Sequence, residues 1–247
     1  MIKATVTQLL VLALASAILV PSAKAAGGLP AGLRKGARIL FQGDSITDGG
    51  RGPATDPNHS LGHGYAYIVA ADWGGHSPER EITFLNRGVS GNKMPDLVAR
   101  WQADTIDLKP DVVSILIGVN DVWHNLDAGK KVPIDEFEKA YDKLLADTAA
   151  ALPGVKIVLC EPFMLPGQHT KARLSEWLAA LEKIQEVVAK LGAKYKAPVV
   201  HFQKVFDDAC NRAPVEHWIW DGVHPTSAGH QLMADEWERV VKASWRR

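Results

Sequence analysis

The feature that most constrains this chain is the alternation of short apolar runs with longer segments of helical period. The runs are Ile39–Phe41, Ile82–Leu85, Val112–Ile117, Ile157–Cys160 and Val199–Phe202, each rich in β-branched or aromatic residues and bounded by Gly, Pro, Asn or Asp. Between them lie Tyr65–Trp73, Asp96–Leu108, Asp135–Leu152 and Leu174–Leu191, with Ser227–Ala243 at the end, all with apolar residues recurring at three and four. Continuously apolar runs suit strands covered on both faces, and parallel neighbours need a helical crossover to bring the chain back. The pattern therefore predicts an α/β fold, a three-layer α/β/α sandwich around a five-stranded parallel sheet. Such sheets bind ligands beyond the carboxyl ends of their strands, so function is sought in the residues just past each run.

Composition removes several partners. Lys and Arg total 28, as do Asp and Glu, so there is no basic field to attract nucleic acid or anionic lipid. The first 25 residues stand apart: Lys3 gives a positive start, Leu9 to Val20 form an apolar stretch of 12, and Ala23-Lys24-Ala25 fits a small-x-small cleavage site. A membrane span needs roughly 20 apolar residues, so the stretch reads as an export signal cleaved after Ala25 and not as a stable membrane anchor. The expected mature chain, 26–247, is a single domain with 26 basic and 28 acidic residues, acting in the periplasm or outside the cell. Self-association is left open. Cys160 and Cys210 are too few for a disulfide scaffold; they could pair after export, or Cys160 could be a buried thiol at the end of its apolar run.

Polar clusters stand past the runs: Gly43-Asp44-Ser45 after the first, Asn86 to Asn92 after the second, Gly118-Val-Asn120-Asp121 after the third, and Asp221-Gly-Val-His224-Pro225 before the last helix. Acyl transfer requires a hydroxyl nucleophile, an imidazole base, a carboxylate that orients the imidazole, and donors facing the oxyanion. Ser45, His224 and Asp221 supply the first three. The backbone N–H groups of Ser45 and Gly91 and the side-chain amide of Asn120 are the candidate oxyanion donors. Each residue alone has a plainer use, Ser45 as a helix cap, Asn120 and Gly91 in turns, Asp221-Gly222 in a turn before a helix. Their combination and order are what point to catalysis.

Gly-Asp-Ser, Gly91 within Val89-Ser-Gly-Asn92, Gly118-Val-Asn-Asp121 and Asp221-Gly-Val-His-Pro225 resemble the four blocks of the SGNH (GDSL-type) hydrolase superfamily, over about residues 38 to 240. The resemblance implies a flavodoxin-like sheet order, a serine esterase working through an acyl-enzyme, no metal or organic cofactor, and the same assignments for Ser45, Gly91, Asn120, Asp221 and His224. The longer forms Phe41 to Asp48, Ile117 to Trp123 and Trp220 to Pro225 most resemble the branch with bacterial acetylxylan esterases and other carbohydrate acetylesterases. General carboxylesterases, lysophospholipases and thioesterases of the superfamily are the alternative.

The expected substrate is a small-molecule or polysaccharide ester. Trp123, Trp218 and Trp220 flank the proposed triad and are candidates for a sugar platform, although tryptophan is equally a core residue. Asp44 neighbours the nucleophile, and Arg51 and His63, in the loop from Gly49 to Gly64, are further candidates for substrate contact. Neither that loop nor Leu126–Pro133 has the amphipathic flap of an oil-surface lipase, so a short acyl group is expected. Three rivals are weaker. A haloacid-dehalogenase phosphatase needs a second carboxylate where Ile46 stands; a metal hydrolase on Asp56, His59 and His63 lacks further ligands; a non-catalytic sugar binder has no need of Ser45, Asp221 and His224 together.

Overall fold

The computed structural model describes residues 29–30, 32–53, 56 and 59–245. The expected export signal lies outside the described residues. Five parallel strands form one sheet: β1 (Arg38–Gly43), β2 (Thr83–Asn86), β3 (Val112–Leu116), β4 (Lys156–Cys160) and β5 (Val199–Val200), in the order β2-β1-β3-β4-β5. The chain runs outward from β1 to β2, then returns to lay β3 on the other side of β1. The order thus reverses between β1 and β3, and the strand ends open a crevice there.

Nine α-helices are found among the described residues: α1 (Ser45–Asp48), α2 (Tyr65–His76), α3 (Met94–Trp101), α4 (Val119–Asp127), α5 (Ile134–Ala151), α6 (Leu174–Tyr195), α7 (Phe202–Ala209), α8 (Val215–Trp218) and α9 (Ser227–Ser244). They sort into two packed groups, α2, α7, α8 and α9 in one and α3, α4, α5 and α6 in the other. Ile39, Leu40 and Phe41 of β1 and every residue of β3 are buried, as expected for strands covered on both faces. Phe41 meets the edge of Tyr65 at 5.6 Å and Trp237 at 5.2 Å, and Trp237 packs on Trp73 at 5.3 Å, tying β1, α2 and α9 together. The Trp237 indole N–H donates to Ser114 Oγ at 2.9 Å, so that large ring is buried without an unpaired donor. No helix among the described residues is long and apolar enough to cross a membrane.

Three of the departures from the expected boundaries bear on the core and the site. The helix expected over 96–108 begins at Met94, where Asp96 accepts the Lys93 N–H at 2.9 Å, and ends at Trp101; a π turn over Gln102–Ile106 carries the chain onward. The strand expected over 199–202 stops at Val200, and Phe202 instead starts α7, whose Phe202, Phe206 and Ala209 form a buried stripe. Helix α4, not expected, starts inside the Gly118-Val-Asn-Asp block, with Val119, Val122 and Leu126 buried at helical spacing. Both cysteines are free thiols: Cys160 is buried, 3.5 Å from Ser114 Oγ, and Cys210 is partly exposed.

Gly43 ends β1 opposite Leu116 of β3. A Cβ there would stand 2.3 Å from the Leu116 carbonyl oxygen and 2.5 Å from Thr47 Oγ1. Gly43→Ala must push β1 from β3 at the crevice. It should cost about 1–3 kcal/mol in urea unfolding and lower esterase activity together with stability. An unchanged unfolding midpoint would show that the two strand ends part freely.

Candidate active site

The four polar clusters meet at the mouth of the crevice. Asp44 caps α1, its Oδ1 accepting the Ile46 N–H at 3.0 Å, which leaves Ser45 as the first helical residue beyond β1. Asp48 at the end of α1 accepts the Ser90 N–H at 3.1 Å and its hydroxyl at 2.8 Å, tying the serine turn to the loop after β2. Asn86 fastens the same joint, donating to Thr47 O at 2.7 Å and Leu61 O at 2.9 Å while accepting the Gly88 N–H at 2.9 Å. Asp121 of α4 accepts the Met94 N–H at 3.1 Å on either oxygen, joining the third cluster to the start of α3.

Ser45 Oγ lies 2.9 Å from His224 Nε2, and His224 Nδ1 lies 2.7 Å from Asp221 Oδ2. With Nδ1 donating to Asp221, Nε2 is the free lone pair that the Ser45 hydroxyl donates to, as proton abstraction requires. Asp221 is 1% exposed, and its Oδ1 accepts the backbone N–H of Val223 at 2.9 Å and of His224 at 2.7 Å. Burial pushes this carboxyl up, but hydrogen bonds from the His224 ring and the two backbone groups outweigh it and hold it below the usual carboxylate value. The Asp221 hydrogen bond in turn raises the His224 pKa against the opposing effect of burial, with the charges of Asp221 and Asp44 adding to the rise.

The candidate oxyanion donors are also available. Within the described residues, the backbone N–H groups of Ser45 and Gly91 have no protein acceptor. Gly91 has φ +81°, in the left-handed region that favours glycine, and nothing stands within 4 Å of where its Cβ would be. Asn120, 5% exposed, donates one amide hydrogen to Asn92 O at 3.1 Å, which aims the side chain and leaves the second hydrogen for a ligand.

Two buried carboxyls stand behind this machinery. Burial raises Asp44 to about 7, against the lowering effects of the Ile46 N–H and the His224 charge, and raises Asp121 to about 7, with the neighbouring Asp44 adding to it. Asp44 Oδ2 has no hydrogen-bond partner among the described residues. His230 is buried, accepts the Tyr65 N–H on Nδ1 at 3.2 Å and is pulled down to about 4 by burial, so it is a neutral support for α2.

The proposed substrate-contact residues divide. Trp220 is 56% exposed and its ring stacks on His224, 6.2 Å between centroids at 22°. Trp123 is tilted against His224 at 6.2 Å and meets Trp177 edge-on at 5.9 Å. Trp218 is 7% exposed, donates to Ala213 O at 3.3 Å and lies under Arg212, so it is a core residue and forms no part of a platform. Arg51 donates through Nε to Gly88 O at 2.8 Å and so braces the loop after β2. His63 lies against Gly50, its backbone N–H bonded to Gly49 O at 2.9 Å. Asp44 is wholly buried and presents nothing to solvent.

A further histidine, His169, joins the site without any motif to announce it. Its ring packs on Trp123 at 4.8 Å, its Nε2 is 3.9 Å from Asp221 Oδ2, and its N–H donates to Asp221 O at 2.9 Å. It sits in the segment after β4, and its one sequence signal is that position beyond a strand end. Among the described residues, no group of three or more His, Cys, Asp or Glu is placed to hold a metal, and Asp56 and His59 pair with each other at 2.9 Å.

As the candidate base, His224 would have to be neutral to take the Ser45 proton, so activity should rise with pH through an apparent pKa above the ordinary histidine value of 6.5. In Asp221→Asn the rise in pKa is lost: the acid limb of kcat/KM should move to lower pH while the plateau falls on the order of 10³–10⁴-fold. The pH–rate profile on p-nitrophenyl acetate reads both. A limb that stays in place would assign it to another group.

A model of the GDSL-like lipase/acylhydrolase family matches residues 41–232. An acetylxylan esterase of Geobacillus stearothermophilus is 34% identical over 216 residues, covering 85% of this chain and 96% of that one. A solved structure of an acetylxylan esterase from the same organism superposes with a TM-score of 0.76 over 87% of this chain and 99% of that one, at 33% identity. A GDSL-like lipase of Parabacteroides merdae gives a TM-score of 0.80 at 39% identity, covering 85% and 97%. Two further structures of the Geobacillus enzyme are of catalytic mutants in which an aspartate and a histidine three positions apart become alanine, the spacing of Asp221 and His224 here. The chain belongs to the GDSL-like lipase/acylhydrolase family and is a serine hydrolase of carboxylic esters.

Proposed function

We propose that this enzyme removes short acyl groups, acetyl foremost, from carbohydrate esters such as acetylated xylan or its oligosaccharides, with Ser45, His224 and Asp221 as the triad. His224 Nε2 takes the Ser45 proton as Oγ attacks the acetyl carbonyl. The oxyanion is held by the N–H groups of Ser45 and Gly91 and the Asn120 amide, and as the C–O bond breaks the proton passes from His224 to the departing sugar oxygen, which leaves as a hydroxyl. Water then repeats the sequence on the acyl-enzyme.

The observation that carries the sugar reading is Trp220. An indole more than half exposed beside the catalytic base leaves apolar surface in water, a cost that an incoming sugar ring relieves. The other exposed large apolar side chains among the described residues, Tyr67, Val98 and Leu178, stand singly on α2, α3 and α6. A long acyl chain would need the contiguous apolar surface that lipid-binding proteins expose. In the Geobacillus acetyl-xylooligosaccharide esterase, one mutant replaces the tryptophan directly before the catalytic aspartate, as Trp220 directly precedes Asp221. The N-terminal signal pattern supports action on polymers outside the cytoplasm.

Trp220→Ala should lower kcat/KM on acetylated xylo-oligosaccharides about 5–10-fold more than on p-nitrophenyl acetate, the worth of one stacked ring. The wild-type enzyme should also prefer acetate to dodecanoate in a p-nitrophenyl series and oxygen esters to acyl thioesters. Equal losses on both substrates, or preference for the long chain or the thioester, would overturn the carbohydrate reading and leave the family assignment standing.

A further inference from the structure

We propose that Arg100 is the positioning residue that locks the three oxyanion donors into one geometry. The inference rests on the site reading above, since it assigns a support to those donors. Arg100 comes from the last turn of α3, and its side chain is largely buried. Its Nε donates to Asn92 Oδ1 at 2.7 Å. Its Nη1 is shared by Gln42 Oε1 at 2.8 Å, Arg87 O at 2.7 Å and Asp104 Oδ2 at 3.1 Å, and its Nη2 reaches Gly43 O at 3.0 Å.

Those acceptors lie directly behind the donors. Gly43 is two residues before Ser45. Asn92 follows Gly91, and the Asn92 carbonyl is the group that holds the Asn120 amide. One guanidinium thus clamps the chain before the nucleophile and the residue between the other two donors. A planar fork with donors on three nitrogens can span these acceptors at once; a lysine ammonium, a point on a flexible stem, cannot.

The π turn after α3 completes the clamp. It brings Asp104 Oδ2 to Arg100, and the Asp104 carbonyl and Thr105 Oγ1 each accept from Gln42 Nε2 at 2.8 Å. Gln42 is therefore fixed from one side by the turn and from the other by Arg100. A buried arginine without such partners would be strongly destabilising; here neutral carbonyls do most of the pairing, an arrangement set by position and not by charge neutralisation.

The test is a double-mutant cycle of Arg100→Lys and Asn120→Ala, with kcat and KM on p-nitrophenyl acetate and the folded state checked by circular dichroism. Asn120→Ala alone should lower kcat about 10²–10³-fold. Arg100→Lys should lower kcat about 10–100-fold with KM within about threefold, as expected when donors shift by a fraction of an ångström. In the Asn120→Ala background the same change should cost at least about fivefold less, because one of the donors it positions is gone. A kcat close to wild type in Arg100→Lys, or the same loss factor in both backgrounds, overturns the inference and leaves a merely structural arginine. Loss below about threefold in Asn120→Ala itself overturns the site reading and the inference with it. Should Arg100→Lys fail to fold, the cycle is run with Asn92→Ala, which removes the Nε acceptor but keeps the carbonyl that holds Asn120, and the same criteria apply.

Discussion

The pairing of β1 with β3 is the constraint on which the site depends. Its register sets Gly43 opposite Leu116, and the chain leaves both strands at that level. Ser45 comes two residues beyond one partner and Asn120 four beyond the other, so the proposed nucleophile and the proposed amide donor leave the sheet from neighbouring strand ends. Because β2 lies on the other flank of β1, the loop with Gly91 closes the remaining side. A slip of this register by one residue would carry Ser45 away from Asn120 and put the side chains of one strand on the opposite faces of the sheet, against the wrong helix layer. The apolar packing of Phe41 with Tyr65 and Trp237 therefore stabilises the chemistry as well as the fold.

Carboxylates meet different environments at this crevice, and the differences set their roles. Asp221 is buried but satisfied by hydrogen bonds from His224 and from two backbone groups, so it stays ionised beside the His224 ring. Asp44 is buried with one oxygen unpartnered among the described residues, and Asp121 is buried beside it; both are pushed from 3.8 to about 7. For an acid whose folded pKa lies above its unfolded one, the stabilising contribution is complete below the unfolded value and is lost as pH rises to the folded value. Asp44 and Asp121 thus make the core behind Ser45 less stable as pH climbs from 3.8 to about 7, while the rising pH deprotonates His224, the proposed base. Conditions that favour turnover oppose the strength of its support.

The sheet is legible in the sequence because its strands are buried on both faces and read as plain apolar runs, such as Ile39–Phe41. The proposed triad is legible because Ser45 stands in Gly-Asp-Ser just past a strand and Asp221 and His224 stand three apart in one short block. Helix α4 hides inside a polar block whose Asn120 and Asp121 invite a turn assignment, although Val119, Val122 and Leu126 keep helical spacing. Phe202 reads as the end of a strand because a single aromatic after two valines carries no period. Trp218 and Trp220, two residues apart, look alike in sequence; the Ile219 bridge to Pro225 turns one ring into the core and the other to solvent. His169 and Arg100 act through contacts across large sequence separations, which no local pattern reports.

The central claim is that Ser45 attacks the ester carbonyl. Enzyme mixed with p-nitrophenyl acetate at low pH, quenched within the burst and digested, should yield an acetylated peptide containing Ser45 by mass spectrometry. The same peptide from Ser45→Ala should be unmodified and the enzyme inactive. An acetyl group on another residue, or undiminished hydrolysis by Ser45→Ala, would contradict the account.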